Sequence, residues 1–141
     1  NLSLNIPFSL LLFHQKQFKD DQMKSDNFVK DIFRVVDTMN GAGVTAMMTD
    51  NGIFRFANIP AVEGKEAIKG FLENFYQSIK GIVHDQLEDW KVGDIRFATG
   101  RVTYTRHDDS ALQVPFSVIL KMQGDLIHEY LIFVDASELY K

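Results

Sequence analysis

The chain has 141 residues, 45% of them hydrophobic and 24% charged, which are the proportions of an ordinary globular protein with one domain. Its formal net charge of −4, with no cluster of basic residues, argues against a nucleic-acid partner. The chain contains no cysteine, which excludes a disulfide framework and a thiolate metal site and is compatible with a reducing, cytoplasmic location.

An apolar segment, residues 2–13, could be mistaken for a targeting signal, but it lacks a basic leading region and a small-residue cleavage site. It also contains Pro7 and is far too short to span a bilayer. We therefore expect no membrane partner. We expect residues 1–24 to form an N-terminal arm, packed on their own domain or on a neighbouring subunit, and residues 25–141 to form the single domain.

The first part of that domain has a helical pattern. In residues 25–39 apolar side chains recur at three- and four-residue steps, which predicts a core-facing amphipathic helix with Ser25 or Asp26 as its N-cap. A short helical turn is expected at residues 44–48, followed by a strand at residues 53–56.

A second helix is predicted at residues 65–80, because its apolar residues form a wide stripe. Gly81 follows the last residue of this helix and is predicted to be its C-terminal cap in the left-handed conformation. Gly70 weakens the helix intrinsically, so we expect it to allow close packing on a sheet.

The remaining residues predict four strands separated by turns, at residues 82–91, 95–106, 112–122 and 126–135. Gly93 and Asp94 suit a tight hairpin between the first two. The fold class is therefore α+β, with a long antiparallel sheet covered by helices on one face. Such a sheet leaves a concave space beneath the helices, and its uncovered face is available to a second copy of the chain.

This order of elements resembles the nuclear transport factor two-like superfamily, and within it the small SnoaL-like and ketosteroid-isomerase-like proteins. The resemblance covers about residues 27–140, and it rests on residues 64–68 (GKEAI), 100–106 (GRVTYTR), 124–127 (GDLI) and 133–135 (FVD). It implies a cone-shaped, curved sheet wrapped over the helices, a cystatin-like α+β barrel. It also implies a pocket between sheet and helices and a homodimer formed through the outer sheet face.

The catalytic positions of two relatives do not transfer. Aligned on the ketosteroid isomerases, the catalytic base falls on Phe56, the tyrosine on Ile32 and the acid on Ser117 or Val118, so that chemistry is rejected. Aligned on the limonene epoxide hydrolases, the tyrosine and asparagine fall on the positions of Phe56 and Asn58. Their Asp, Arg and Asp fall on Thr103, Arg101 and Leu131, so only the arginine survives.

Candidate catalytic residues come from strand alternation within this resemblance. This alternation predicts that His84 and Trp90 face the pocket. The same alternation predicts an inward orientation for Arg101 and Thr103 of the next strand and for Glu129, Leu131 and Phe133 of the last. A histidine near a carboxylate in an apolar cleft can serve as a general base, and an arginine can hold an oxyanion. The sharpest hypothesis is a catalytic set of His84, Arg101 and Glu129; the alternative is that they form a structural rim satisfied by each other and by water.

The predicted ligand-binding residues are Phe56, Asn58, Phe75, Trp90, Thr103 and Leu131. No metal site is expected, because the four histidines show no ligand spacing, and no cofactor is expected, because there is no Gly-rich phosphate loop. We expect a homodimer that binds a largely apolar small molecule and processes it by cofactor-independent acid–base chemistry of the isomerase, cyclase or hydrolase type. The alternatives are a binding protein without turnover and a protein-interaction domain of the same fold.

Overall fold

The computed structural model describes residues 5–23 and 26–141. These residues form helices α1 (Phe8–Met23), α2 (Phe28–Asp37), α3 (Gly41–Ala46) and α4 (Lys65–Gln77), and strands β1 (Met48–Phe56), β2 (Val62–Glu63), β3 (Gly81–Val92), β4 (Ile95–Thr105), β5 (Ala111–Gln123) and β6 (Leu126–Val134).

The strands form one curved six-stranded sheet in the order β2-β1-β6-β5-β4-β3, with β2 and β3 as edges, so the sheet does not close into a barrel. The run β3 to β6 is the antiparallel meander that the turn signals predicted. Strand β1 pairs in parallel with β6, a pairing that the sequence analysis did not predict. The α+β class is confirmed.

Helices α2, α3 and α4 cover one face of the sheet, which we call the inner face; the opposite one is the outer face. Helix α2 packs against β3, and α4 packs against β1 and α3. The core between the two layers is apolar, and its fully buried side chains include Ile32, Val44, Ile68, Leu120 and Tyr130. This burial is the main source of stability and fixes which face of each strand points inward.

Helix α2 begins later than predicted. Its N-cap is Asn27, and the carboxylate of Asp26 accepts a hydrogen bond from the backbone N–H of Phe28 at 3.1 Å. Asp26 therefore satisfies a free donor at the helix end without being the cap residue itself. The other proposed cap, Ser25, lies outside the described residues.

Helix α4 ends earlier than predicted, with Ser78 as C-cap in the right-handed region. Gly81 starts β3, so its assignment as a left-handed cap is wrong. The expected close packing at Gly70 is also wrong, because a Cβ built there would meet nothing within 4 Å.

Helix α1 lies against β3. The division between an arm at residues 1–24 and a domain at residues 25–141 stays a prediction. Among the described residues, no helix has both the length and the hydropathy that crossing a bilayer requires.

Candidate active site

A small cavity of about 30 Å³ lies between the inner face and the helices. Its walls are almost entirely aliphatic or aromatic, and the side chains with a polar atom come from α4 and three strands: Tyr76, His84, Tyr104 and Tyr130. We call it the inner cavity. Because its walls are mostly apolar, electrostatic interactions within it are stronger than at the surface.

His84 of β3 and Asp37 of α2 form a hydrogen-bonded pair at this cavity. The Nδ1 atom of His84 lies 2.6 Å from Oδ1 of Asp37, and the backbone N–H of His84 donates to Oδ2 at 3.1 Å. Both carboxylate oxygens are thus engaged by one residue. A carboxylate only accepts, so neutral His84 carries its proton on Nδ1, and Nε2 is the nitrogen left as a base.

Aromatic packing holds the imidazole in place. The ring stacks on Phe33 with centroids 4.5 Å apart and meets the edge of Phe116 at 5.0 Å. The side chain of His84 is only 9% exposed, and that of Asp37 is 25% exposed. The pair is therefore a fixed arrangement rather than a flexible surface contact.

The sequence analysis does not identify Asp37 as a site residue. Its position contains a signal nonetheless, since it is the last residue of α2. The C-terminal end of a helix dipole disfavours a negative charge, so an acid at this place contributes little to the helix and calls for another partner. That partner is His84, 47 residues away along the chain.

Three buried tyrosines complete the polar part of the cavity. Burial raises the pKa of the Tyr76, Tyr104 and Tyr130 hydroxyls, and the charge of Asp37 raises the pKa of Tyr76 and Tyr130 further. These hydroxyls stay protonated at neutral pH and can donate hydrogen bonds. Within the described residues, no group pairs with the buried Tyr76 Oη, so this atom is free to meet a ligand oxygen.

The predicted inward orientation of Arg101 and Thr103 is wrong, because β3 contains a bulge. The pairs Trp90 with Phe97 and His84 with Val102 differ in register by one residue, and the shift falls between Asp85 and Glu88. Without the bulge His84 would lie opposite Thr103 and both would face inward. Val102 takes that place instead, and Thr103 binds Gln113 on the outer face.

A second bulge explains the misplacement of Glu129. The register between β5 and β6 shifts between Lys121 and Met122, so Glu129 lies opposite Lys121 and not opposite the buried Leu120. The carboxylate of Glu129 pairs with the ammonium group of Lys121 at 3.0 Å. Glu129 is therefore on the outer face, and the predicted set of His84, Arg101 and Glu129 does not assemble.

The predicted ligand-binding residues divide in the same way. Phe56 and Phe75 line the inner cavity, as predicted. Trp90, which follows the β3 bulge, is 43% exposed on the outer face, and Leu131 lies beside Ile119 there. The predicted inward orientation of Trp90 and Leu131 is therefore wrong, because the bulges in β3 and β6 shift the strand register by one residue.

Asn58 reaches a second and larger pocket of about 520 Å³, which opens to the surface. We call it the vestibule; residues 56–60, Phe75 and residues 134–140 line it, apart from Glu138. The ring of Phe56 lies 5.2 Å from that of Phe75, and both rings also line the inner cavity, so they separate the two spaces. Among the described residues, no group of three His, Asp or Glu could hold a metal ion.

Comparisons with known proteins agree with this fold. Residues 29–130 match the family model of the SnoaL-like domain. A candidate polyketide cyclase from Xanthomonas campestris superposes with a TM-score of 0.73 at 12% identity, over 80% of this chain and 91% of the other. A hypothetical protein with a ketosteroid isomerase-like fold from Catenulispora acidiphila, in complex with trimethylamine, superposes at 0.71 with 14% identity, over 78% and 86%. No curated protein matches the chain.

Proposed function

We propose that this chain, which belongs to the SnoaL-like domain family, binds a small, largely apolar carbonyl compound and moves a proton on it without a cofactor. The observation that carries the proposal is the 2.6 Å contact between His84 and Asp37 at an apolar cavity. A histidine oriented by a carboxylate is the arrangement in which a neutral imidazole acts as a general base.

In the proposed reaction, Nε2 of His84 takes a proton from the carbon beside the carbonyl. The electron pair of that C–H bond moves into an enolate, whose oxygen accepts a hydrogen bond from Tyr76 Oη. Asp37 stabilises the imidazolium formed. The imidazolium then returns the proton to the same carbon or to a conjugated one, so atoms and charge balance without an oxidant or a metal.

Exchange of the α-protons of 2-butanone in D₂O, followed by NMR, tests the chemistry on a small probe. The protein should accelerate exchange, and His84→Gln should lower the rate by about 10²–10⁴-fold, which is the usual contribution of a general base. His128→Gln is the matched control, because His128 does not line the cavity. Its Nδ1 atom forms a hydrogen bond with Thr49 Oγ1 at 2.9 Å. Equal rates for His84→Gln and the native protein contradict the proposal.

A second candidate function is ligand binding without turnover. It is favoured by the vestibule, because its volume of about 520 Å³ is that of a small-molecule site while His84 does not line it. It predicts that 2-butanone binds but that its protons exchange at the rate of free solution.

We further propose that the chain forms a homodimer through the outer face. On that face Val83 and Phe133 are each 54% exposed and Trp90 is 43% exposed. Exposed apolar side chains of this kind mark protein interfaces, and a second copy of the same chain is the commonest partner. Light scattering should give twice the monomer mass, and Phe133→Asp should halve it.

The third candidate, a protein-interaction domain, would use this same face. The cytoplasmic location stays a prediction that cell fractionation checks.

A further inference from the structure

The inner cavity and the vestibule differ greatly in size although they share a wall. The inner cavity measures about 30 Å³ and the vestibule about 520 Å³. Small-molecule sites are typically about 300–1,000 Å³, so only the vestibule has the volume of a ligand. The basic group is in the other space, because His84 lines the inner cavity and not the vestibule.

The chemistry of the vestibule wall selects what it can hold. Ile59, Pro60, Val134 and Leu139 give it an apolar lining, and among the described residues no Lys, Arg or His lines it. Hydrogen bonds from Ser137 hold the pKa of Asp135 below its usual value, so this lining residue keeps its negative charge at neutral pH. The vestibule therefore favours an uncharged apolar group over a carboxylate or phosphate.

The backbone around the vestibule is fixed, which leaves the two rings as the movable part. Arg106 donates to the carbonyl oxygens of Leu139 and Glu138, both at 2.8 Å, and Tyr140 bonds Ser78 at 2.7 Å. Leu139 is 1% exposed. Rotation of the Phe75 side chain would join the two spaces without displacing this segment.

We propose that the vestibule binds the apolar chain of the same ligand whose carbonyl group reaches His84, with the Phe56 and Phe75 rings parting to admit it. The substrate class is then an uncharged ketone bearing an extended apolar chain. This inference rests on the proposed function for the position of the carbonyl group, and on the vestibule itself for the chain.

Binding of 2-alkanones of increasing length, from 2-butanone to 2-decanone, tests this proposal by calorimetry or ligand-observed NMR. Each added methylene should lower Kd about fourfold until the vestibule is full. Octanoate should bind more weakly than 2-octanone because of Asp135. Ser137→Trp, which fills the vestibule from an exposed position, should abolish the gain in affinity with chain length.

Asn58→Trp repeats this test from the other lining segment, residues 56–60, so the result does not depend on one variant folding. Asp125→Trp, in the exposed β5–β6 turn, is the matched control and should keep the native dependence. Phe75→Leu should raise the association rate of 2-octanone by about tenfold if the rings are the barrier. Equal Kd values along the series, or an unchanged dependence in both vestibule variants, overturn the inference.

These outcomes are separate from those of the proposed function. His84→Gln should lose proton exchange yet keep the dependence of Kd on chain length. If exchange on 2-butanone depends on His84 but Kd ignores chain length, the inference fails and the function stands. If Kd follows chain length but no exchange occurs, the chain site stands and the catalytic proposal fails.

Discussion

Each face of the sheet carries a pair made of one basic and one acidic side chain, and the two pairs differ in their surroundings. On the inner side, His84 and Asp37 are 9% and 25% exposed, and the His84 ring stacks on that of Phe33. On the outer face, Lys121 and Glu129 are 49% and 26% exposed and lie 3.0 Å apart. A basic and an acidic side chain thus pair on both faces, but of these two pairs only the inner one adjoins an apolar cavity. That cavity is lined by Tyr76, whose buried hydroxyl has no hydrogen-bond partner among the described residues.

This difference shows that the site is defined by strand register rather than by residue type. In an apolar cavity the electrostatic interaction between a charged group and its neighbours is strong, whereas at the surface solvent and salt screen that interaction. The substitutions below should therefore have large effects on the inner side and small ones outside it.

The largest effect is expected at Asp37. Asp37→Asn keeps the shape but lets the amide stabilise the wrong imidazole tautomer, so proton exchange on 2-butanone should fall by about 10³-fold or more. Glu129→Gln on the outer face should leave the rate within about twofold. Similar losses in both variants would erase the distinction between the faces.

Alkaline pH should destabilise the protein through the inner side. The pKa values of Tyr76, Tyr104 and Tyr130 are raised by burial, so above pH about 10 the unfolded chain binds fewer protons than the folded one. Stability is full below that pH and falls as pH rises, by up to about 1.4 kcal/mol per pH unit for each tyrosine. Tyr130→Phe should reduce the slope by about one proton in urea titrations between pH 9 and 11.5. An unchanged slope would contradict this account.

Gly100 should tolerate no side chain, because it lies opposite the β3 bulge. A Cβ there would be 2.7 Å from the carbonyl oxygen of Asp85 and 3.0 Å from the ring of Phe116. Gly100→Ala should cost about 1–3 kcal/mol of unfolding free energy, measured by urea denaturation. A neutral result would mean that the bulge is not rigid.

Gly70 provides the matched substitution on an open surface. A Cβ there meets nothing within 4 Å, and the residue lies inside α4. Gly70→Ala should therefore stabilise the protein by about 0.5–1 kcal/mol in the same urea assay. Destabilisation would imply a contact on this helix face, for example with a partner.

The smallest effect is expected from the outer pair itself. Glu129→Gln should change the unfolding free energy by less than about 1 kcal/mol, because exposed ion pairs contribute little. The change should shrink further in 1 M NaCl. A loss that is large and independent of salt would show that the pair is buried, as it would be in a dimer.

The sequence predicted the elements well because their signals are local. Hydrophobic periodicity placed α2 and α4, and turn residues such as Gly93 separated the four strands of the meander. The α+β class and the family resemblance are confirmed for the same reason. The parallel pairing of β1 with β6 joins distant residues and has no local signal.

The site was predicted only in part, because strand alternation fails at a bulge. His84, Phe56 and Phe75 were placed correctly in the cavity, whereas Arg101 and Glu129 lie across bulges that reverse their faces. Gly100 inside a predicted strand was the available warning, since a glycine in a strand often marks a bulge. Asp37 is found only when helix packing brings it to His84.

Nitrogen-15 NMR of the His84 imidazole tests the central claim most directly, since it identifies which ring nitrogen carries the proton and which one meets a ligand. We expect Nδ1 to be protonated and coupled to Asp37, and 2-octanone to perturb Nε2 alone. A ring protonated on Nε2, or a His84 spectrum that 2-octanone leaves unchanged, would contradict a base poised at the inner cavity.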